Sequence, residues 1–532
     1  MSKNRPLAIS ALVASAVAAG AVAAAPAMAA DTGASTGSNP TTNAAPKLDR
    51  IGGDTRYETA INASKADFPA AGSAKGVVIA RGDIYVDALA GTPLAAHNGS
   101  ALLLTDSKTL TAGVADEIKR ALGTGDTAKG KKITILGGEV AVTPAVEKQL
   151  RALGYEVERV GGFDRYATAL DIARSTGAKN AIVATGMNFA DALAAGPLAA
   201  ASDHAAIVLS NGSAVTDAAT AAFIKSAGTV TSVGVPAVTA VNKLNVKDTE
   251  LAGATRYETA AAVAGSAVLK DSKTAVVANG LIFSDPLVGG VYAAYNHGAL
   301  LLTDPGYLSP ATAAALVGFT APLQQVKIFG GPVAVSAKVE TQIKALVAGG
   351  YDLYIQQLKT DVAKAQTAAD VAQKAYDAAA AVPGASVAAF YDAAQKSGDK
   401  VVTDADTALL DAAKNSTDTK VQAAYAAYAK ALAAFQAGGA TPAQNVVDAL
   451  STASWNLASA LGVSTDKAVG TALDGLNAAV KATTDPAVKN AAAAMAKAAQ
   501  DSAPAVKTAN DKLVAAQAAL AAAQKALADA QK

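Results

Sequence analysis

Cysteine is absent from the 532 residues, which excludes disulfides, thiolate nucleophiles and cysteine-ligated metals and leaves stability to buried cores alone. Histidine occurs three times, at His97, His204 and His297. These lie in three separate segments with no clustered carboxylate, so nothing marks a zinc hydrolase or a histidine-based triad. The net charge is only +1, and no cationic excess points to a nucleic-acid partner. Arginine does not occur after Arg256. Beyond the N-terminal segment no run of about 18 apolar residues reads as a membrane span, and no cofactor fingerprint of dinucleotide or P-loop spacing occurs.

Against these absences, 51% of residues are hydrophobic and 17% charged, a balance suited to several globular domains. Residues 1–30 begin with Lys3 and Arg5, continue through an apolar run from Leu7, and end in small residues around Ala27–Ala30. This is the pattern of a secretory signal peptide, with a signal anchor as the alternative that Gly20 and Pro26 argue against. The mature protein is then expected outside the cell. Residues 31–47, rich in Thr, Ser, Asn, Gly, Ala and Pro, read as a flexible linker.

One phrase recurs three times: Gly52-Gly53-Asp54-Thr55-Arg56-Tyr57, Gly161-Gly162-Phe163-Asp164-Arg165-Tyr166 and Ala252-Gly253-Ala254-Thr255-Arg256-Tyr257. A period near 100 residues makes each copy a small domain and not a solenoid unit. The expected limits are 48–157, 158–249 and 250–349. Within the first copy, short aliphatic runs at 77–80, 101–104, 133–136 and 155–160 alternate with helical segments starting near Thr55, Asp87, Thr111 and Thr143. The later copies repeat the order at 181–184, 207–209 and 230–233, then 275–278, 300–302 and 326–329. Short buried strands alternating with helices predict α/β modules with mostly parallel sheets. Residues 350–532 turn to Ala, Lys, Asp, Gln and Thr and are expected to form an all-α Ala-rich bundle or coiled coil. Leu513, Leu520 and Leu527 recur every seven residues, as do Leu358, Ala365 and Ala372, so the first and last helices are candidates to pair.

Thr55 and Glu58, like Thr255 and Glu258, have capping-box spacing and need no function beyond starting a helix. The arginine after each cap faces the positive end of the helix dipole, a conflict worth about 0.3–1 kcal/mol unless something negative lies close. For Arg56, Arg165 and Arg256 two explanations stand side by side. Each is tied to a carboxylate of its own or a neighbouring module, with Asp87, Asp191 and Asp285 recurring downstream; or each joins Tyr57, Tyr166 and Tyr257 in an anion or sugar site. The three aspartates also read as helix N-caps, Asp285 being followed by Pro286. Gly137-Gly138, Gly234 and Gly330-Gly331 read as turn residues, and the three histidines as solvated loop residues. No catalytic residues are assigned.

The ordered recurrence of Arg-Tyr, Asp-Ala-Leu (Asp-Pro-Leu in the third copy), Leu-Leu-Leu-Thr-Asp at 102–106 and 300–304, and Gly-Gly-x-Val-Ala-Val resembles the type 2 cell-wall-binding repeat over about residues 48–347. The second copy departs from it at 207–211 and 234–236. The resemblance implies three modules in a threefold-like group on an exported Gram-positive protein, held noncovalently to an anionic secondary wall polymer. By motif it gives Arg56, Tyr57, Arg165, Tyr166, Arg256 and Tyr257 polymer-contacting or module-joining roles, with Asp87, Asp191 and Asp285 beside them. Residues 350–532 then become a displayed spacer or adhesion region with possible protein partners on the cell surface. Two alternatives remain: a wall-remodelling hydrolase with a carboxylate-based site, and a self-assembling surface-layer component.

Overall fold

The computed structural model describes residues 45–438 and 442–531; the expected signal peptide and most of the expected linker lie outside these. Contacts divide the chain into two compact units, one covering Thr36–Lys359 with Ala526–Lys532 and the other centred on Thr360–Lys525.

In chain order the first unit contains β1 (Lys47–Ile51), α1 (Arg56–Asp67), β2 (Gly76–Arg81), α2 (Gly91–Asn98), β3 (Ser100–Thr105), α3 (Val114–Leu122), β4 (Lys132–Leu136), α4 (Pro144–Arg151) and β5 (Glu156–Val160). It continues with α5 (Arg165–Ser175), β6 (Asn180–Thr185), α6 (Ala190–Ala201), β7 (Ala205–Ser210), α7 (Ala218–Ser226), β8 (Val230–Val233), α8 (Val235–Lys243) and β9 (Thr249–Leu251). The third set is α9 (Arg256–Ala264), β10 (Thr274–Asn279), α10 (Ser284–Tyr295), β11 (Ala299–Thr303), α11 (Pro310–Gly318) and β12 (Gln325–Phe329).

These strands build three four-stranded sheets in the orders β3-β2-β4-β5, β7-β6-β8-β9 and β11-β10-β12-β1. All pairings within them are parallel, so the three expected parallel α/β modules are present. The sheets are offset from the sequence repeats. Each strand that precedes an Arg-Tyr phrase completes the sheet of the module before it, and β1 pairs with β12, Lys47 opposite Gln325 and Ile51 opposite Phe329. The chain's first strand thus closes the third sheet and makes the modules a ring.

Alternation along the strands decides which face meets which core. In β2 and β3, Val78, Ala80, Leu102 and Leu104 join a core shared by all three modules, while Val77, Ile79, Ala101 and Leu103 join a core private to the first. Module two divides likewise, Ile182, Ala184, Ile207 and Leu209 facing the shared core and Ala181, Val183, Ala206 and Val208 the private one.

The helix after the first strand of each sheet, α2, α6 and α10, is apolar on nearly every side, as expected of a helix with no solvent face. These three pack on one another. A Cβ at Gly196 would stand 2.9 Å from the Thr92 side chain, so glycine sets the approach of α6 to α2. Tyr295 at the end of α10 donates its hydroxyl to Ala95 O (2.8 Å) and Ser100 O (2.9 Å) of module one and meets Phe68 edge-on at 5.2 Å.

The remaining elements are α12 (Ala337–Lys396), interrupted at Gly349 and Gly350, then α13 (Lys400–Lys414), α14 (Thr419–Ala437), α15 (Gln444–Val463), α16 (Lys467–Ala482) and α17 (Pro486–Ala530). The expected pairing of first and last helices occurs within the first unit, where Tyr354 and Leu358 share a core with Ala526 and Ala530 and Tyr351 donates to Ala530 O at 3.0 Å. The second unit is all helix with its own core, including Phe390, Tyr391, Tyr428, Trp455 and Leu476. Among the described residues no helix is long and apolar enough to cross a membrane.

Removing residues up to Ile51 leaves β12 as a bare sheet edge. Amide exchange at Gln325–Phe329 is then expected to rise while Gly76–Arg81 stays protected. Unchanged protection of β12 would contradict closure by β1.

Candidate functional site

The repeated phrase forms the joint between modules. Thr55 and Thr255 cap α1 and α9 in full capping boxes, accepting from the Glu58 and Glu258 amides. In the second copy Asp164 does this work, accepting from the Tyr166 and Ala167 amides at 3.0 and 2.9 Å. Caps fix the first turn, and the first turn fixes where the arginine and tyrosine project.

Each arginine donates Nη1 to the carbonyl of the glycine just past the first sheet strand: Arg56 to Gly82 (2.5 Å), Arg165 to Gly186 (2.6 Å) and Arg256 to Gly280 (2.6 Å). The tyrosine ring lies against the same glycine. A Cβ at Gly82, Gly186 or Gly280 would come within 2.5, 2.9 and 2.6 Å of the Tyr57, Tyr166 and Tyr257 rings. The carbonyl oxygen answers the dipole conflict that the sequence posed. It uses one donor per guanidinium, and the other N–H groups make no hydrogen bond among the described residues.

Three aromatic residues that the sequence reading passed over complete the arrangement. Tyr85, Phe189 and Phe283 each lie three residues beyond one of those glycines, and their rings converge with centroids 5.5, 5.9 and 6.4 Å apart. Arg56 of module one sits 5.8 Å over Phe283 of module three, and Arg256 of module three sits 5.6 Å over Phe189 of module two. Such contacts contribute about 0.5–2 kcal/mol each. The hydroxyl of Tyr85 donates to Met187 O at 3.2 Å, again across a module boundary. The same loops expose Ile84, Met187, Leu281 and Ile282. All of this stands at the C-terminal ends of parallel strands, where α/β sheets place their ligands.

The aspartates are not helix caps. The residues preceding α6 and α10 are Phe189 and Phe283, so Asp191 and Asp285 stand inside the first turn, and α2 begins only at Gly91, beyond Asp87. Their carboxylates instead face the next module. Thr168 of α5 donates to Asp87 at 3.0 Å, and Thr59 of α1 hydrogen-bonds Asp285. In the third joint the Thr259 hydroxyl donates to Gly253 O (3.5 Å) instead of to the aspartate, and Asp191 has only the field of Arg256. Burial pushes all three carboxyls up, and Asp191, which lacks the threonine bond, reaches about 6. Against each lies the turn glycine of its own module. Gly137, Gly234 and Gly330 have φ of 88°, 86° and 103°, and a Cβ there would strike the Asp87, Asp191 and Asp285 carboxylates. These turns therefore require glycine on two counts.

Two further arginines, six residues before the first and second of the repeated ones, lock the same turns. Arg50 donates to Gly330 O (2.7 Å) and Glu340 (2.6 Å), and Arg159 to Gly137 O (2.9 Å) and Glu147 (2.7 Å). Glu250 holds that position in the third copy, which is why repetition alone did not reveal them. The histidines are exposed, and no group of three or more potential metal ligands occurs among the described residues.

Three parallel α/β modules thus close into a ring, jointed by arginine and aromatic side chains, with guanidinium groups at its strand ends. The chain belongs to the cell wall binding domain 2 (CWB2) family, which matches residues 50–147, 159–242 and 250–340. It is 33% identical over 315 residues to the N-acetylmuramoyl-L-alanine amidase LytC of Bacillus subtilis, covering 58% of this chain and 60% of that protein. It is 30% identical over 324 residues to the amidase enhancer of the same organism, covering 60% and 44%. The chain thus spans about half the length of these relatives. Among solved structures it is similar to Cwp6 from Clostridium difficile (25% identity, TM-score 0.50, 56% of this chain and 47% of that one) and to Cwp8 from the same source (27%, 0.49, 58% and 51%).

Two outcomes follow from the joints. The folded value of Asp191 lies above its unfolded value near 4, so its contribution to stability is complete below pH 4 and is lost as pH rises through about 6. In calorimetry Asp191→Asn should match the parent below about pH 4 and exceed it by about 1–3 kcal/mol at pH 8. Thr168→Val removes the donor to Asp87 and should destabilise the ring by about 1–3 kcal/mol; an unchanged melting curve would deny that this bond joins modules one and two.

Proposed function

We propose that the ring holds an exported protein noncovalently at the cell wall by binding an anionic secondary wall polymer, and that Thr360–Lys525 is carried as a spacer or adhesion region. Family membership supports wall binding as such. The observation that carries the polymer reading is the triple arginine arrangement: each guanidinium is oriented by one carbonyl bond and keeps donors for an anion. Exposed Ile84, Met187, Leu281 and Ile282 offer apolar surface to sugar faces beside those donors. Several weak contacts on one rigid ring gain from effective concentration when the ligand is itself repetitive. Joining modules and meeting polymer are compatible roles for Arg56, Arg165 and Arg256, since one Nη1 serves the fold and the remaining donors make no hydrogen bond among the described residues.

The relationship to LytC keeps a second reading in play, a wall hydrolase. Release of soluble muropeptides from purified walls by the full chain would establish it.

Binding to purified walls before and after acid extraction of secondary polymers tests the first reading. Retention is expected on intact walls and loss on stripped ones, and equal binding to stripped peptidoglycan would reject polymer recognition. Replacing Arg56, Arg165 and Arg256 together by Gln should lower wall binding at least about tenfold, the equivalent of about 1.4 kcal/mol, while the near-ultraviolet circular dichroism of the ring persists. Full binding by the folded variant would reduce the arginines to joints.

A further inference from the structure

The helical unit carries a repeat of its own. Ser397-Gly398-Asp399, Ser416-Thr417-Asp418, Ser464-Thr465-Asp466 and Thr483-Thr484-Asp485 each precede a helix and are followed, five positions after the Ser or Thr, by a fully buried valine: Val402, Val421, Val469 and Val488. The turns are clasped in crossed pairs. Ser416 donates to Asp466 (2.8 Å) and Ser464 to Asp418 (3.2 Å), while Ser397 donates to Asp485 (2.6 Å). Twelve positions into each copy stands another buried core residue: Leu409, Tyr428, Leu476 and Met495.

Nine positions in, the copies disagree. Three place Tyr425, Leu473 and Ala492 against the core, and the first places Asp406. This aspartate has 0% exposure, and neither carboxylate oxygen has a hydrogen-bond partner. A charge there has neither water nor a counter-ion, the most costly condition for an ionised side chain.

Its surroundings offer no opposite charge. From α12, Tyr391 and Gln395 face it, Gln395 being the side chain that favours the ionised form. From α14 the neighbour is Tyr428, on which Asp392 and Tyr425 also act. Helix α16, packed on α13, brings Val469, Leu473 and Leu476 to the same core, and its Lys467, Asp474 and Lys481 are exposed. No cation is among the groups that act on the Asp406 carboxyl.

We propose that Asp406 makes the helical unit a pH-responsive element, held tight while this carboxyl carries its proton and loosened once it ionises inside the apolar core. Burial raises its value to about 6, above the unfolded value near 4. The contribution to stability is therefore whole below pH 4 and is lost as pH rises through about 6. This behaviour is independent of whether the ring binds a polymer.

The unit supplies its own probe. The chain's single tryptophan, Trp455, is buried in this core, and no histidine lies within Thr360–Lys525 to titrate alongside. Urea unfolding of the full chain, followed by Trp455 fluorescence at pH 5 and pH 8, should give an unfolding constant about tenfold larger at pH 8. Asp406→Leu, which restores the residue type of the third copy, and the near-isosteric Asp406→Asn should both abolish that difference. Equal unfolding constants for the parent at the two pH values, or a tenfold difference persisting in the folded variants, would overturn the proposal. If the leucine variant does not fold, the asparagine variant decides.

Discussion

Mutual burial of α2, α6 and α10 is the constraint on which the rest depends. None of these helices has a polar face, so none is stable over its own sheet alone. Each finds the other two, and the three sheets are drawn around them with one face turned inward. The shared core that results runs through all three modules. Leu94, Leu193 and Leu287 lie at most 2% exposed within it. Once the helices meet, the strand ends above them converge, and the loops that follow β2, β6 and β10 bring Tyr85, Phe189 and Phe283 together.

The joints act on that frame. Each arginine acts on the carboxylate of another module in a fixed rotational order, one to three, three to two and two to one, and in the first two of these it also lies over that module's aromatic ring. The return of β1 to β12 adds a strand pairing to the closure between modules three and one. Differences between copies have local consequences. The Thr259 hydroxyl donates to its own backbone at Gly253 O, leaving Asp191 with burial and the Arg256 field alone, and Asp191 accordingly holds its proton more tightly than an ordinary carboxyl. The ring is threefold in plan and unequal in electrostatics.

Much of the architecture was legible in the sequence, for identifiable reasons. Aliphatic runs such as Val77–Ala80 are long enough and flanked sharply enough to read as buried strands, and Thr55 with Glu58 announces a helix start by spacing. The partner of β1 was not legible, since Lys47 and Gln325 are joined by ring closure and not by any local pattern. The aspartates were misread as caps because a cap and a first-turn residue differ by two positions, within the ordinary error of helix ends. Tyr85, Phe189 and Phe283 escaped notice because Tyr replaces Phe in one copy; an aromatic two residues before each recurring aspartate was the available signal. In the helical unit, alanine-rich sequence hid a short motif whose sign was a Ser or Thr, an Asp two residues on and a Val three beyond that.

The central claim, that the wall ligand meets the ring at its three joints, is tested most directly by hydrogen-exchange footprinting of the full chain with and without purified wall polymer. Slowed exchange is predicted together in the segments 82–87, 186–191 and 280–285. Protection confined to other segments, with these three unchanged on a wall-bound chain, would contradict it.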